Sequence, residues 1–421
     1  MTRCNIPRSY IYGGLVYLFT ILLLSYKLPF SKLYQSMHNY NDLFRFVQKS
    51  SQYRTIAGNE YFSNLDQASR VNVYENRLKE ENISIAIGLV TVKRKNKEAE
   101  AFPNGSLDYL IQSASLLDHT MKQFKFFRNS VLFICNVDSF PQGHKEALKL
   151  YKHLLYTERY GSNSLGISPL VMPQSKDFYK DTYFHVSSYQ KESFDYAFCL
   201  QSAASLKPKL VLLLEDDVLP HQDFPHVLEH LLNSRLSQIN NKHYQDGFLY
   251  LKMFFPAKWQ GYGMELVSIL DLISISAVCA AVIAIILLFI PRILSNITAV
   301  QFSEMPRVYL SIFLIIMTTC WLVGRQNINE FRRLSKHLYR LKRSEGCCTQ
   351  AMLYPTVVVE TVAEHLVTMA PSTHTDLGIM DLAAMSRLPA LQIEPSLFYH
   401  TGLVTSLAQE QKHPEEFIFN L

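Results

Sequence analysis

Three long apolar stretches, almost free of charged residues, interrupt the chain. They cover 9–27, 267–290 and 308–324, and each is close to the length of helix that crosses the hydrocarbon core of a bilayer. None shows the spacing of a helix with one wet face, although buried core helices are the alternative for the two shorter stretches. The pattern therefore predicts three membrane spans, of which the last two form a hairpin.

The first stretch has the position of a secretory signal peptide. Tyr26, Lys27, Leu28 and Pro29 follow it, however, and they offer no small-residue cleavage site. We therefore expect an uncleaved anchor that follows a short cytosolic tail, residues 1–8. Because a hairpin returns the chain to the side it left, residues 28–266 and 325–421 are predicted to share one compartment.

Charges near the spans give conflicting indications of orientation. Arg3 and Arg8 favour a cytosolic N-terminus, which would place the globular part in the lumen and 291–307 in the cytosol. Glycosylation sequons at Asn82 and Asn104 fit a lumenal domain, and Asn296 would then stay unmodified. The basic residues that follow the third span favour the opposite orientation: Arg325, Arg332, Arg333, Lys336, Arg340, Lys342 and Arg343.

The globular remainder is large enough for one deep core, with 28–80 predicted as a lumenal stem. The net charge of the 421-residue chain is +5, and its basic residues are scattered, which argues against a nucleic-acid-binding protein. Four of the seven cysteines fall in this part of the chain. Three disulfide pairings among them are possible, and reduced thiols are the alternative; these cysteines are Cys135, Cys199, Cys347 and Cys348.

Strand and helix patterns alternate from residue 81 onward. Apolar runs at 83–92, which is rich in β-branched residues, and at 131–137 and 210–214 predict buried strands. Helical spacing links 107–121, and further helices are predicted at 144–155 and 187–205. This alternation predicts an α/β fold with a parallel sheet covered by helices on both faces, divided by the hairpin into 81–266 and 325–421.

The third buried run leads directly into Glu215, Asp216 and Asp217. Three carboxylates at the rim of a sheet repel one another unless a hard cation neutralises them, and oxygen ligands suit Mg²⁺ or Mn²⁺ carrying a diphosphate. A solvated acidic turn before Pro220 is the alternative. The pattern favours a nucleotide bound through a metal.

This strand-end acidic motif resembles the DXD-type motif of Rossmann-like GT-A glycosyltransferases. Four phrases make the resemblance narrower: LLEDD at 213–217, YLK at 250–252, CCTQAMLYP at 347–355 and EPSL at 394–397. Together with the inserted hairpin they resemble the family of Golgi transferases that add N-acetylgalactosamine to GPI anchors. The resemblance implies UDP-N-acetylgalactosamine as donor, the first mannose of the GPI core as acceptor and a divalent metal, with Mn²⁺ expected.

The resemblance also assigns roles around the acidic motif. It makes Asp217 the direct metal ligand, with Glu215 and Asp216 completing the metal and donor site as catalytic residues. His400 matches the C-terminal histidine that many metal-dependent GT-A enzymes bring back to the cation, and neutral imidazole is a suitable ligand. The alternative for His400 is a surface histidine before a turn at Gly402.

Sugar transfer to a hydroxyl needs a base, and Asp376 is the candidate. The family has an acidic residue opening a helix near the acceptor, and Asp376 precedes an apolar helical stretch. A helix cap without a chemical role is the alternative. Residues 372–375 of this chain, Ser-Thr-His-Thr, occupy positions where the family has glycines. Asp381 is the second candidate for the base.

Donor contacts are expected at the ends of the first two strands. In GT-A folds the end of the first strand contacts the base and ribose, which indicates Val90, Thr91, Lys93 and Arg94. Asn136 and Asp138, at the end of the second strand, are further candidates for contact with the donor. Lys93 and Arg94 are equally compatible with solvated loop charges.

The expected function is therefore metal-assisted, inverting transfer of N-acetylgalactosamine to GPI-anchored proteins at the Golgi membrane. A membrane-held acceptor gives the hairpin a physical purpose, because enzyme and substrate then meet on one surface. A nucleotidyl- or phosphotransferase and a non-catalytic membrane scaffold are the alternatives from other classes.

Overall fold

The computed structural model describes residues 8–34, 38–66, 73, 76–79, 82–94, 108–160, 187–236, 247–293, 304–346, 348–370 and 372–403. The chain divides into two compact units. Residues 1–43 and 256–332 form the first, which we call the apolar-helix unit. Residues 44–255 and 333–421 form the second, which we call the α/β unit.

Eleven α-helices are numbered here in chain order across the described residues. They are α1 Arg8–Lys27, α2 Tyr40–Ser63, α3 Tyr109–Gln123, α4 Lys145–Leu150, α5 Ser188–Ser205, α6 Phe224–His230, α7 Leu266–Ile293, α8 Met305–Val323, α9 Arg325–Glu330, α10 Thr356–Met369 and α11 Thr375–Met385.

Ten strands are numbered in the same way. They are β1 Ile85–Thr91, β2 Val131–Asn136, β3 Leu155–Glu158, β4 Leu210–Glu215, β5 Val218–Pro220, β6 Tyr250–Lys252, β7 Arg340–Arg343, β8 Ala351–Pro355, β9 Ala390–Glu394 and β10 Phe398–His400.

The apolar-helix unit contains the three predicted spans as helices α1, α7 and α8. Within the described residues, 266–289 of α7 and 305–323 of α8 are long and apolar enough to cross a membrane, whereas the apolar part of α1 that is described, 16–27, is shorter. Two candidate spans are thus present. The N-terminal anchor and the three-span arrangement remain predictions.

Helix α1 runs alongside α8 in the same direction. The Tyr17 hydroxyl donates to the carbonyl of Ile315, and the Asn327 side chain, just after α8, donates to the carbonyl of Pro29, just after α1. The amide of Lys32 donates to the carbonyl of Leu322 over 2.9 Å. The residues after α1 are therefore held against the carboxyl end of α8.

The α/β unit is built on an eight-stranded sheet with the order β3-β2-β1-β4-β8-β6-β9-β7. The predicted α/β class is confirmed and the sheet is mostly parallel, but two of its eight strands, β8 and β7, run against the others, and β6 pairs in parallel with β9. Strands β3 to β4 are parallel, whereas β8 runs antiparallel to both β4 and β6, and β7 runs antiparallel to β9. A run of apolar residues in the sequence indicates a strand that is buried on both faces of the sheet. It does not encode whether that strand runs parallel or antiparallel to its neighbours.

The predicted helix at 144–155 is also only partly right. Helix α4 has six residues, and the chain then enters β3, which pairs with β2 in parallel. Leu154, Leu155 and Tyr156 are almost fully buried, and a short apolar run of this kind suits a buried helix and a buried strand equally well.

The sheet carries the acidic motif to the middle of the α/β unit. Strand β4 lies between β1 and β8, and its residues 211–214 are at most 1% exposed. Beyond it, β5 pairs antiparallel with β10 so that His400 lies opposite Val218. This small second sheet brings the far end of the chain back to the end of β4.

Candidate active site

The acidic motif is buried at the point where β4 ends. Asp216 and Asp217 are 5% and 3% exposed, and Glu215 is partly buried. The pairing of β5 with β10 places His400 Nε2 3.2 Å from Asp217 Oδ2. The amide and hydroxyl of Thr401 both donate to the carbonyl of Asp217, over 2.8 and 3.0 Å. The backbone of Asp217 is therefore fixed by the same strand that carries the histidine.

Glu215, Asp217 and His400 have the arrangement of a metal-binding set. One ligand atom from each lies within 4.8 Å of the other two. A Cβ atom on Gly402 would lie 1.8 Å from Asp217 Oδ2 and 3.1 Å from His400 Nε2, so only glycine leaves this space open. Two carboxylates and an imidazole suit Mn²⁺, and carboxylates suit Mg²⁺. These residues fit a divalent cation.

Arg94 supplies a positive charge to the same cluster. Its guanidinium contacts Asp216 Oδ1 at 2.9 Å and Asp217 Oδ2 at 2.7 Å, and it lies over the ring of Tyr109 at 4.6 Å. Burial alone would lower the pKa of Arg94, but the charges of Asp216 and Asp217 outweigh that effect and raise it. One guanidinium faces three acidic side chains, so the cluster retains attraction for a second cation.

Asp216 is held by a chain of hydrogen bonds. The Thr91 hydroxyl donates to Asp216 Oδ2 over 2.7 Å, and the Ser113 hydroxyl donates to its backbone carbonyl over the same distance. His144 Nε2 lies 2.8 Å from the Thr91 oxygen and, because Thr91 gives its proton to Asp216, the ring nitrogen donates. Burial lowers the pKa of His144 to about 4, which keeps the imidazole neutral at pH 7.

The other predicted donor contacts divide between this cluster and the neighbouring strand ends. Val90 lies opposite Glu215 in the ladder between β1 and β4. Asn136 is fully buried and donates to the hydroxyl of Tyr156 over 2.9 Å. Asp138 Oδ2 accepts from the amide of Lys93, whose side chain is exposed. Asn136 and Asp138 therefore shape the strand ends, and a direct contact with the donor stays a prediction.

Asp376 lies in the first turn of α11. Its carboxylate accepts a hydrogen bond from the amide of Leu377 over 2.9 Å, and α11 has no side-chain cap from His374. Asp381 lies five residues along the helix, on a different face, with its Oδ2 3.3 Å from His365 Nε2 of α10. The two candidate bases thus have different neighbours.

Sequence reasoning did not identify Glu192 of α5, which lies close to Asp376. Its neighbours on α5 contact the start of α11: the Ser193 and Thr375 hydroxyls are 3.0 Å apart, and the rings of Tyr189 and His374 are 3.9 Å apart. Burial, and then the charges of Asp376 and Asp195, raise the pKa of Glu192 to about 7. This carboxyl is therefore able to exchange a proton near neutral pH.

Other residues of the cluster also escaped notice in the sequence. They are Tyr109, Ser113, His144 and Thr401. The only signal for any of them is the position of Thr401 directly after His400. The rest come from segments more than 70 residues before the acidic motif, and no local spacing connects them to it.

One of the possible disulfides is formed in the α/β unit. Cys135 of β2 and Cys199 of α5 are bonded, with their Cα atoms 5.9 Å apart. Cys347 lies outside the described residues. The bond joins the sheet to the helix that carries Glu192, and a disulfide of this kind is typical of a domain that folds in an oxidising compartment.

A family model for GPI-N-acetylgalactosamine transferase PGAP4 matches residues 85–399, well over half of the chain. The chain belongs to the PGAP4 family. The resemblance seen in the four sequence phrases is thereby confirmed, and with it the general activity of the family, a GPI-related N-acetylgalactosamine transferase. The matched segment begins with β1 and ends within β10 at residue 399, so it contains Glu215, Asp216, Asp217 and both candidate bases and stops one residue before His400.

Proposed function

We propose that this protein is a Golgi enzyme that transfers N-acetylgalactosamine from UDP-N-acetylgalactosamine to the first mannose of the GPI glycan on GPI-anchored proteins. Membership of the PGAP4 family supports the reaction class and the GPI-linked acceptor. The observation that carries the site assignment is the close approach of Glu215, Asp217 and His400 at the end of β4. GT-A enzymes bind their donor at such a position, because ligands gather beyond the carboxyl ends of the strands.

Glu215, Asp217 and His400 would hold a divalent cation, with Mn²⁺ proposed. When bound, the cation neutralises charge that builds on the departing diphosphate. Arg94 adds a fixed positive charge beside it, and Asp216 keeps that guanidinium in place through a 2.9 Å contact. Thr91 in turn orients Asp216. The donor site is therefore preorganised by residues whose own positions are fixed.

Asp376 is the proposed general base that takes the proton from the attacking mannose hydroxyl. Glu192 lies within electrostatic reach of it, and the negative charge of Asp376 adds to burial in opposing ionisation of Glu192. Direct attack assisted by one carboxylate inverts the configuration at the anomeric carbon. The candidate spans in α7 and α8 would keep the enzyme on the membrane surface that carries its acceptor, which reduces the entropic cost of encounter.

The decisive experiment supplies purified full-length protein with a panel of UDP-sugars and a GPI-anchored protein, with and without Mn²⁺, and reads the glycan by mass. We expect addition of one N-acetylhexosamine and release of UDP. Asp217→Asn should reduce transfer by about 100-fold or more, because a metal ligand is lost. Glu364→Gln, an exposed carboxylate change on α10, is the matched control.

Full transfer by a correctly folded Asp217→Asn protein would contradict the proposed site. Release of pyrophosphate in place of UDP would identify a nucleotidyltransferase. A protein that binds no activated sugar under any metal condition would be a scaffold.

A further inference from the structure

Both tryptophans of the chain line one cavity in the apolar-helix unit. The sequence contains only Trp259 and Trp321, and they border a cavity of about 320 Å³. Lys32, Lys258, Tyr262 and Gln326 also line it, and we call it the tryptophan cavity. At about 30 Å³ for each water molecule in the liquid, it has room for a group of roughly ten non-hydrogen atoms.

The tryptophan cavity lies at one end of the apolar helices. Lys32 follows α1, Trp259 and Tyr262 precede α7, and Trp321 lies in the last turn of α8. Met264, which lies between Tyr262 and the start of α7, is 93% exposed. Tryptophan and tyrosine are enriched where membrane helices meet the headgroup layer. With α7 and α8 placed across a bilayer, the cavity would therefore lie at the level of the lipid headgroups.

The charges that line the cavity are positive. Lys32 Nζ lies 5.4 Å from the ring centre of Trp321, and Lys258 Nζ lies 5.2 Å from the ring centre of Trp259. Asp271, in the second turn of α7, is paired with Arg325 at 3.0 Å and does not line the cavity. Two ammonium groups repel a choline headgroup and attract a phosphate. The aromatic faces already carry cations, which also argues against a choline cage.

The walls of the cavity are held by buried contacts. Gln326 Nε2 donates to the carbonyl of Ala257 over 3.0 Å, and Arg325 donates to the carbonyl of Gln260 over 3.2 Å. Gly324 has a positive φ of 91°, and a Cβ atom there would lie 2.8 Å from the carbonyl oxygen of Phe30. These contacts fix the segments before α7 and after α8 against the residues that follow α1.

We propose that the tryptophan cavity binds the phosphodiester headgroup of an anionic membrane lipid. Lys32 and Lys258 supply the charge for the phosphate. Trp259 and Trp321 border the glycerol and the first methylene groups of the chains. Such a site anchors the ends of the apolar helices at a defined depth, and it stands whatever sugar the α/β unit transfers.

Intrinsic fluorescence tests the proposal directly, because both tryptophans line the cavity. Full-length protein in detergent is titrated with dihexanoyl phosphatidylinositol, phosphatidylserine and phosphatidylcholine, and separately with inorganic phosphate. We expect saturable fluorescence changes with the two anionic lipids only. Lys32→Gln/Lys258→Gln should weaken this binding by about ten- to thirtyfold, because each lysine near an anionic lipid contributes roughly 1 kcal/mol.

The matched control is Lys145→Gln/Lys149→Gln, which removes two exposed lysines from α4 and should bind as the unaltered protein does. Unchanged thermal midpoints would show that all variants fold. Equal affinity for phosphatidylcholine, or unaltered binding by the Lys32/Lys258 variant, would overturn the proposal. Inorganic phosphate that saturates the same signal with the same affinity would assign a free-anion site and also overturn it.

Discussion

At the scale of single residues, three consecutive carboxylates have different surroundings. Asp216 receives hydrogen bonds from Thr91 and Arg94, whereas Asp217 is shared between Arg94 and His400. Glu215 is the last residue of β4 and belongs to the proposed metal set. The sequence of three acidic residues cannot distinguish these roles, because the side chains that bond to them come from β1, α3 and β10 and from the loop after β1.

The space beside Asp217 yields the first prediction. Gly402→Ala would place a Cβ atom 1.8 Å from Asp217 Oδ2, so the carboxylate must move away from His400. We expect Mn²⁺ affinity, measured by electron paramagnetic resonance, to fall by about 10- to 100-fold, as when the support of a metal ligand is lost. Gly263→Ala, where a Cβ atom would make only an ordinary 4.0 Å contact with the amide nitrogen of Glu265, should leave it unchanged. Equal affinities in the two variants would contradict a metal at this position.

The second prediction concerns the pair Asp376 and Glu192. If Asp376 is the base, Asp376→Asn should lower kcat by about 10²- to 10⁴-fold with little change in KM for the donor. Glu192→Gln should reduce kcat far less and shift the pH–rate profile, because it removes a neighbouring negative charge. The reverse pattern, with Glu192→Gln the inactive variant, would transfer the role of base to Glu192.

The third prediction follows from the raised pKa of Glu192. A carboxyl whose pKa rises from 4.5 unfolded to about 7 folded binds its proton more tightly in the native state. Its favourable contribution is thus complete below pH 4.5 and is lost as the pH rises through 7. Glu192→Gln should raise the free energy of unfolding at pH 8 by about 1–3 kcal/mol and leave it unchanged at pH 4. A uniform change across that range, measured by thermal unfolding, would refute this account.

The structure brings some of the site residues named from the sequence together, where chemistry and local context coincide. The acidic letters follow a buried strand, and the structure does bring Thr91, Arg94 and His400 to them. Asn136 and Asp138 also end a strand, yet their side chains bond to Tyr156 and to the amide of Lys93. A strand-end position indicates which edge of the sheet a residue occupies and does not indicate which way its side chain points.

At the scale of elements, the buried strands and the long helices were predictable from their periodicity. Strand 83–92 became β1, and helix 187–205 became α5, which begins with a capping box between Ser187 and Gln190. Strand direction and β3 were not predictable, because each depends on pairing with distant residues. The antiparallel pairing of β8 with β4 is set by tertiary structure, and no local sequence pattern indicates it.

The disulfide between β2 and α5 gives the fourth prediction. Cys135 and Cys199 are 64 residues apart in sequence, and closing a loop of that length in the unfolded chain stabilises the fold by about 2–4 kcal/mol. Cys135→Ala/Cys199→Ala should therefore lower the thermal midpoint by about 5–10 °C. Cys279→Ala, at an exposed cysteine of α7, is the control and should have little effect. Equal midpoints for both variants would show that the bond contributes no stability.

At the scale of the whole molecule, one sheet is assembled from two distant pieces of chain. Strand β8 comes after the apolar helices and lies between β4 and β6, which come before them. The sheet cannot be completed until residues 333–421 join it, so both pieces must occupy the same compartment. This topology gives a structural reason for an even number of crossings between them.

The last prediction decides that compartment. Asn82 is exposed, whereas Asn104 and Asn296 lie outside the described residues. With the α/β unit in the lumen, Asn82 and Asn104 should carry glycans and Asn296 should not, because it belongs to the opposite side of the hairpin. Digestion with a glycosidase should then shift the cellular protein on a gel, Asn82→Gln/Asn104→Gln should abolish the shift, and Asn296→Gln should leave it unchanged. A glycan on Asn296 alone would reverse the orientation and make the basic residues that follow α8 cytosolic, as the positive-inside rule prefers.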